Sequence, residues 1–401
     1  MPRFEPFAGV RYADQVDLDS VLAPPYDVIS PEERAALVSR SAHNCVRIEL
    51  PADEDGRDRF EVAAGLWQTW RSEGVLRTDT ADAFYVSRMS FTEESGLTRS
   101  TTGVIGALEL TSPGEGDVLP HERTTPKPKG ERLNLQRACQ ANLSPVWGLS
   151  MASGLSDLIA PGGNPTGSLL GRSVDDEGVI HELWELPADR VEKVKAVVSG
   201  SPVVLADGHH RFETGLNYRQ ELIDSGVSEP GPADLIMALV VELSDRELTV
   251  QAIHRLISGL PAGTDLLGAL EPWFELSQAG PVDGAFPARM TGAGSLGVVT
   301  PTGSWLAKPR PATEEAAEFP LDSARLDVAL AVLPEHELAY QHGVANITAA
   351  VDSGQAQAGV LLRPASVEII ESMARQRLRM PPKTTFFYPK PRTGMVFRSL
   401  A

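Results

Sequence analysis

The stretch Pro202-Val203-Val204-Leu205-Ala206-Asp207-Gly208-His209-His210-Arg211 decides how this chain is read. An apolar run without polar alternation is the pattern of a strand buried on both faces. Asp-Gly then punctuates it, because Asp favours turns and Gly accepts backbone angles closed to other residues. From about His210 to Ile223 the pattern is helical. The segment is therefore predicted as strand, tight turn and helix, with three polar, potentially cationic side chains in the first helical turn.

That first turn is chemically informative. A helix N-terminus offers unpaired backbone N–H groups and the positive end of the helix dipole, so it favours anions. Cationic side chains are unfavourable there for the helix itself, which points to function as the reason for them. Gly208 lets backbone approach a ligand closely. Arg211 can grip phosphate oxygens with two parallel hydrogen bonds, and His209 or His210 can donate a hydrogen bond or a proton. Asp207 can bind Mg²⁺ or act as a general base. Two other readings share these residues. Asp207-Gly208 can be a plain turn with Asp207 as a helix cap. His209 and Glu213, four apart on one helix face, can form a metal site with Asp207 as third ligand. Adjacent histidines diverge by about 100° on a helix, so His209 and His210 should not share one ion from there.

Outward from this segment the pattern is mixed. Asp234–Leu243 is the most apolar run and reads as a central strand. Ala83–Phe91 and Thr98–Leu110, flanking Glu94-Ser95-Gly96, suggest a hairpin. Ser30-Pro31-Glu32-Glu33 has a helix start: Ser as cap, Pro at the first position and Glu completing a capping box. Arg57–Glu73 reads as a long helix ending at Gly74. Val21–Val28 reads as a short strand or extended loop, Cys45–Leu50 as a strand and Pro161–Gly171 as a surface loop. Further strands are predicted at Val146–Met151, His181–Leu186, Gly297–Trp305 and Gly359–Leu362, with a helix at Asp189–Val198. Hairpins mixed with strand–helix units indicate an α+β or mixed α/β fold. A boundary is expected near residue 260, with 1–260 as the core carrying the site and 261–401 as an additional C-terminal α/β portion with a basic tail.

Composition narrows the function classes. The 401 residues include 36 Lys and Arg against 54 Asp and Glu, a net charge of -18, which argues against general nucleic-acid binding. No run approaches the ~18 apolar residues of a membrane span, and MPRFEPFAGV lacks a signal-peptide core. Two cysteines, Cys45 and Cys139, supply no disulfide framework. A cytoplasmic protein with small-molecule partners, and neither nucleic acid nor membrane, is expected. Oligomeric state is not readable. The segment Ser372–Ala401 has seven basic residues and no acidic one, so the other 371 residues carry -25. Its Phe386, Phe387 and Tyr388 suggest a segment that docks on the acidic body, or that reaches an anionic ligand.

Other candidates stand apart in sequence. His121-Glu122-Arg123-Thr124-Thr125-Pro126-Lys127-Pro128-Lys129 is a basic island held extended by proline. His121, Arg123, Lys127 and Lys129 can close over a phosphate and supply charge, or form a solvated loop paired with acidic neighbours. Asn142-Leu143-Ser144-Pro145 can add amide and hydroxyl contacts. If Val46-Arg47-Ile48-Glu49-Leu50 is a strand, Arg47 and Glu49 share one face, and Glu49 is a candidate base. Pro24-Pro25-Tyr26-Asp27 can wall a pocket.

End to end, these motifs resemble the DUF1015 family of bacterial and archaeal proteins. The resemblance runs through Phe4-Glu5-Pro6-Phe7, Leu22-Ala23-Pro24-Pro25-Tyr26-Asp27-Val28-Ile29-Ser30, Asn44-Cys45-Val46-Arg47-Ile48-Glu49-Leu50, His121-Glu122-Arg123-Thr124 and Asn142-Leu143-Ser144-Pro145. It ends with Ala206-Asp207-Gly208-His209-His210-Arg211 and Met380-Pro381-Pro382-Lys383-Thr384-Thr385-Phe386-Phe387-Tyr388-Pro389-Lys390. The Asp-Gly-His-His-Arg turn is also similar to the phosphate-binding strand–turn–helix of the ParB/sulfiredoxin superfamily, which includes partition proteins, sulfiredoxins and free serine kinases. That resemblance implies a ParB/sulfiredoxin-like core with mixed sheets and a nucleotide ligand. Gly208 or His209 stands where a sulfiredoxin has its cysteine, which disfavours that activity. Residues and resemblance together lead to a phosphotransferase using ATP or ADP with Mg²⁺ on a small hydroxylated metabolite, such as the amino acid serine. Asp207, His209, His210 and Glu49 are its candidate catalytic residues. Gly208, Arg211, His121, Arg123, Lys127 and Lys129 would bind phosphate, and Asp207 would hold the metal. A non-enzymatic nucleotide- or anion-binding protein and a metal-dependent hydrolase are the alternatives.

Overall fold

The computed structural model describes residues 1–93, 96–112, 114–122, 130–227 and 231–401. The fold is mixed α/β, and the chain forms two compact units. Met1–Thr249 with Pro389–Ala401 make the first, and Val250–Tyr388 the second.

The first unit is built on a nine-stranded mixed sheet. Across it run Val118–Pro120, Val203–Asp207, Val146–Ser150, Leu235–Glu242, Thr98–Glu109, Tyr85–Thr92, Ile180–Glu185 and Ser168–Val174, with Phe4–Glu5 paired to Thr98–Glu109. Val203–Asp207 lies parallel to Val118–Pro120 and antiparallel to Val146–Ser150, which in turn is parallel to Leu235–Glu242. The apolar run around 235–242 is thus an interior strand, and the 85–92/98–109 hairpin pairs Tyr85 with Ile105 and Thr92 with Thr98. Phe4, Phe84, Val104, Val146, Val203 and Val240 are among the fully buried residues of one core. Burying such side chains contributes about 1.5–3 kcal/mol each, so the uninterrupted apolar strands are held inside.

A second core of this unit gathers Trp67, Trp70, Cys45, Ile48 and Phe397. It is bounded by the four-stranded sheet Leu76–Thr78, Gly9–Tyr12, Phe397–Ser399 and Ala141–Asn142. The capping box at Ser30 is formed: Glu33 N–H donates to Ser30 Oγ (3.2 Å) and Ser30 N–H to Glu33 Oε2 (2.7 Å). The following helix is Pro31–Arg40. Asp58 caps Arg59–Ser72, and the chain leaves that helix through Gly74 at φ 75°.

Three local expectations in this unit differ from what is found. Cys45–Leu50 is no strand: Val46–Glu49 is one turn of helix. Asn44 Oδ1 accepts from Val46 N–H at 3.0 Å, satisfying a first-turn donor, while Glu49 and Leu50 N–H donate to the carbonyls of Cys45 and Val46. Four residues are too few for polar alternation to separate a strand from a helical turn. In the helix Arg47 and Glu49 no longer share a face. Arg47 lies 3.6 Å from Glu54, and Glu49 is fully buried. Val21–Val28 is also less extended than its prolines suggest, with helix Leu18–Val21 and a 3-10 turn Tyr26–Val28 flanking the extended residues. Within Pro161–Gly171 the strand Ser168–Val174 begins, an edge strand whose mostly exposed side chains hide its pairing from a hydropathy reading.

The second unit carries a six-stranded antiparallel sheet in the order Phe274–Gln278, Gly303–Pro309, Leu296–Thr300, Ala358–Leu361, His254–Ser258, Glu337–Gln341. The stretch predicted as strand over 297–305 spans a hairpin, turning between Thr300 and Gly303. Two cores form in this unit, one around Phe274, Leu326 and Val360, the other around Phe286, Ile347 and Leu361. Among the described residues no helix is long and apolar enough to cross a membrane.

Candidate functional site

The strand Val203–Asp207 delivers the turn. Its pairing with Val146–Ser150 slips between Leu205 and Asp207, a bulge that re-aims the strand end. Gly208 follows at φ 84°, a left-handed conformation open to Gly. Helix His209–Asp224 begins there. A residue with a Cβ would be strained there by about 1–2 kcal/mol.

Both oxygens of Asp207 are engaged. Lys390 Nζ donates to Oδ1 at 2.8 Å, and Arg211 Nη2 donates to Oδ2 at 2.9 Å. Arg211 Nη1 also donates to the Pro145 carbonyl. Burial pushes the Asp207 carboxyl up, but Lys390 and Arg211 outweigh it and hold it well below the usual carboxylate range. Burial likewise works against the charge of Arg211, yet Asp207, Asp27, Tyr26 and Glu49 raise its pKa above the ordinary value. The turn therefore presents a fixed pair of cations braced by one carboxylate.

The two histidines diverge, as consecutive helical positions must. The His209 ring stands 5.2 Å from that of His121. His121 is buried, its Nδ1 donates to the Leu205 carbonyl (2.6 Å), and burial lowers its pKa against the opposing pull of Glu122. His210 turns the other way, into a cavity of about 320 Å³ that it shares with Glu49, Tyr26, Phe60, Arg132 and Glu213.

Glu49 is the buried acid of that cavity. Its Oε1 accepts from Arg132 Nη2 (2.7 Å) and from Ser144 Oγ (2.9 Å). Arg132 also donates to the Glu49 main-chain carbonyl at 2.7 Å, and its guanidinium lies 4.0 Å from the centre of the Tyr26 ring. Oε2 of Glu49 and Nε2 of His210 have no hydrogen-bond partner among the described residues. Buried polar atoms in native proteins are nearly always paired, so such exceptions mark a place for a ligand or water.

Of the residues singled out from sequence, Asp207, Gly208, His209, His210, Arg211 and His121 cluster at the strand–helix turn, and Glu49 joins them across the cavity. Of Ser144 and Tyr26, noted only as possible contacts, Ser144 donates to Glu49 and Tyr26 lines the same cavity. Arg123, Lys127 and Lys129 lie outside the described residues. Glu213 lines the cavity. Among the described residues no three His, Cys, Asp or Glu side chains are arranged to hold a metal ion. Sequence reasoning missed Arg132 and Lys390 as site residues. For Lys390 the one signal was a basic stretch free of acidic residues; for Arg132 it was its place three residues beyond the basic island that ends at Lys129.

These features define a mixed α/β protein with an anion-ready strand–turn–helix beside a cavity that holds a buried acid. The chain belongs to the DUF1015 family, described as proteins of unknown function, whose model matches residues 4–329. No curated protein matches it. Among solved structures it is similar to a conserved hypothetical protein from Pyrococcus furiosus, with 12% identity, TM-score 0.37, and 70% of this chain and 90% of that one covered. A free serine kinase in complex with AMP gives 13% identity and TM-score 0.36, covering 70% and 88%. SbnI with a C-terminal truncation, from Staphylococcus aureus, gives 11% identity and TM-score 0.38, covering 73% and 85%. All three likenesses are distant.

Proposed function

We propose that the protein is a nucleotide-dependent phosphotransferase whose acceptor is a small hydroxylated metabolite, an amino acid such as serine being one. The observation that carries this reading is that His210, from the first turn of the 209–224 helix, and the buried Glu49 line one cavity. A phosphate held at the helix start would thus lie next to an acid placed to receive a proton. The volume of that cavity, about 320 Å³, suits a small molecule.

In this reading the backbone N–H groups at Gly208–Arg211 receive phosphate oxygens of ATP or ADP, with Arg211 and Lys390 supplying charge. The acceptor hydroxyl oxygen bonds to the terminal phosphorus. The bond from that phosphorus to the leaving nucleotide oxygen breaks, its electron pair stays with the nucleotide, and the hydroxyl proton passes to Glu49. His209 or His210 donates to the transferring group. Asp207 braces Arg211 and Lys390, and Mg²⁺ would enter with the nucleotide phosphates, with Asp207 as its protein ligand. The assignment of Arg123, Lys127 and Lys129 to phosphate rests on sequence alone.

The test is a screen of ATP, ADP and AMP, with and without Mg²⁺, read by thermal shift and by product formation over hydroxylated acceptors, repeated on Arg211→Ala. Wild type is expected to be stabilised by nucleotide and to form a phosphorylated acceptor, and the variant to lose both. Nucleotide binding that survives Arg211→Ala undiminished removes the phosphate cradle. Binding without turnover across the panel leaves a nucleotide- or anion-binding protein.

A further inference from the structure

We propose that Arg132 is the positioning residue of the cavity: with Ser144 it engages one carboxylate oxygen of Glu49 and so fixes the other as the acceptor for a ligand's hydroxyl. For the reaction this rests on the phosphotransferase reading; for the binding it does not.

Glu49 sits at the end of a four-residue helix, so its backbone fixes little of a side chain with three rotatable bonds. Arg132 removes that freedom. One guanidinium nitrogen reaches the main-chain carbonyl of Glu49 and another reaches Oε1, each at 2.7 Å, so both ends of the same residue are pinned by one planar group. Ser144 Oγ adds a second donor to Oε1 at 2.9 Å. The guanidinium is itself held against Tyr26, and its helix, Gly130–Cys139, packs Leu135 and Cys139 into the core around Trp67 and Trp70. Two donors, Arg132 and Ser144, thus converge on one oxygen.

The other oxygen, Oε2, is buried and has no partner among the described residues. An ion pair serving only to tie the 46–49 and 130–139 helices together gains nothing from leaving one oxygen open, because an unmet buried acceptor costs free energy. A ligand hydroxyl reaching Oε2 would meet that need. It would do so with the carboxylate already oriented, the condition under which a general base works without first reorganising. Lysine cannot reproduce the arrangement, since a single ammonium lacks the fork that spans Oε1 and the carbonyl.

The experiment uses the full chain and the variants Arg132→Lys, Ser144→Ala, Glu49→Gln and Arg132→Lys with Glu49→Gln. Each is checked for a wild-type circular dichroism spectrum. L-Serine, L-homoserine, L-threonine, glycerol and myo-inositol are offered with ATP or ADP. For an acceptor that wild type phosphorylates, Arg132→Lys is expected to lower kcat about a hundredfold, the cost of misplacing a reacting group by about an ångström, with the nucleotide KM within about twofold. On the Glu49→Gln background the same substitution should cost nothing further. An equal loss on both backgrounds, or an unchanged kcat, overturns the proposal.

If wild type phosphorylates none of the five, the phosphotransferase reading fails by itself, and the proposal is judged on binding of the same compounds by saturation-transfer NMR. Binding that disappears in Glu49→Gln and weakens in Arg132→Lys and Ser144→Ala supports it. Binding indifferent to all three, or no binding by wild type, overturns it.

Discussion

Lys390 Nζ lies 2.8 Å from Oδ1 of Asp207, across 183 positions of the chain. Arg211, four residues from Asp207, takes the other oxygen. One contact closes within the turn itself, and the other depends on the return of the last thirteen residues to the first unit. The strand–turn–helix is therefore incomplete until the far end of the sequence arrives. This ties the C-terminal segment to the candidate site more firmly than its basic composition alone would.

Lys390→Met keeps the bulk and deletes the charge. It leaves a half-buried carboxylate with one cation in place of two, a loss expected to cost about 1–3 kcal/mol at neutral pH. Because the Asp207 pKa is depressed by Lys390 and Arg211 in the folded state, its contribution is complete above the ordinary carboxylate value of 3.8 and is lost as pH falls below it. Urea titrations at pH 7 and pH 3 check this: the gap between wild type and variant should be widest at pH 7 and narrow at pH 3. A gap that does not depend on pH would mean that Lys390 acts through packing.

Gly208→Ala tests the turn. At φ 84° an alanine is strained by about 1–2 kcal/mol, and its Cβ would stand 3.1 Å from Arg211 Nε, Arg211 Nη2 and Val146 Cγ1. The expected outcome is a lower unfolding midpoint together with a nucleotide thermal shift reduced beyond what the midpoint explains, since Arg211 must move. A variant as stable as wild type with full nucleotide response would show that the turn has room that this geometry denies it.

Where sequence reasoning succeeded, the determinants were local. An apolar run into Asp-Gly, the capping residues at Ser30 and Glu33, and the hairpin before Thr98 each depend on neighbours within a few positions. Glu49 reads as a candidate base on the wrong scaffold, because the segment 46–49 is too short to show a period and the one side-chain contact at its start comes from Asn44. Arg132 and Lys390 carried only a compositional signal, for a different reason. Their partners are 83 and 183 residues away, and neither contact leaves a mark on the residues around it.

Arg211→Lys separates charge from shape. Arg211 donates to Asp207 Oδ2 and to the Pro145 carbonyl at the same time, which a lysine ammonium cannot do from the same stem. Leaving that carbonyl unmet should cost about 1–3 kcal/mol. Nucleotide-induced stabilisation should fall nearly as far as in Arg211→Ala, despite the retained positive charge. Isothermal calorimetry with ADP decides it, and a wild-type affinity in the lysine variant would mean that charge alone serves the site.

His254 gives a pH dependence independent of the candidate site. It belongs to the second unit, is 7% exposed, and accepts from Leu362 N–H at Nδ1, 3.2 Å away. Burial, followed by the nearby His342 and Arg255, lowers its pKa from 6.5 to about 4. Between those values the unfolded chain takes up a proton that the folded one refuses, so stability is complete above pH 6.5 and declines as pH falls to about 4. That displacement is worth roughly 3 kcal/mol. His254→Asn keeps an acceptor near Nδ1 and cannot titrate. Urea titrations at pH 7, 6, 5 and 4.5 should therefore show wild type losing more stability than the variant over this range. Parallel curves would mean that His254 is protonated in the folded chain, with its Nδ1 no longer accepting from Leu362.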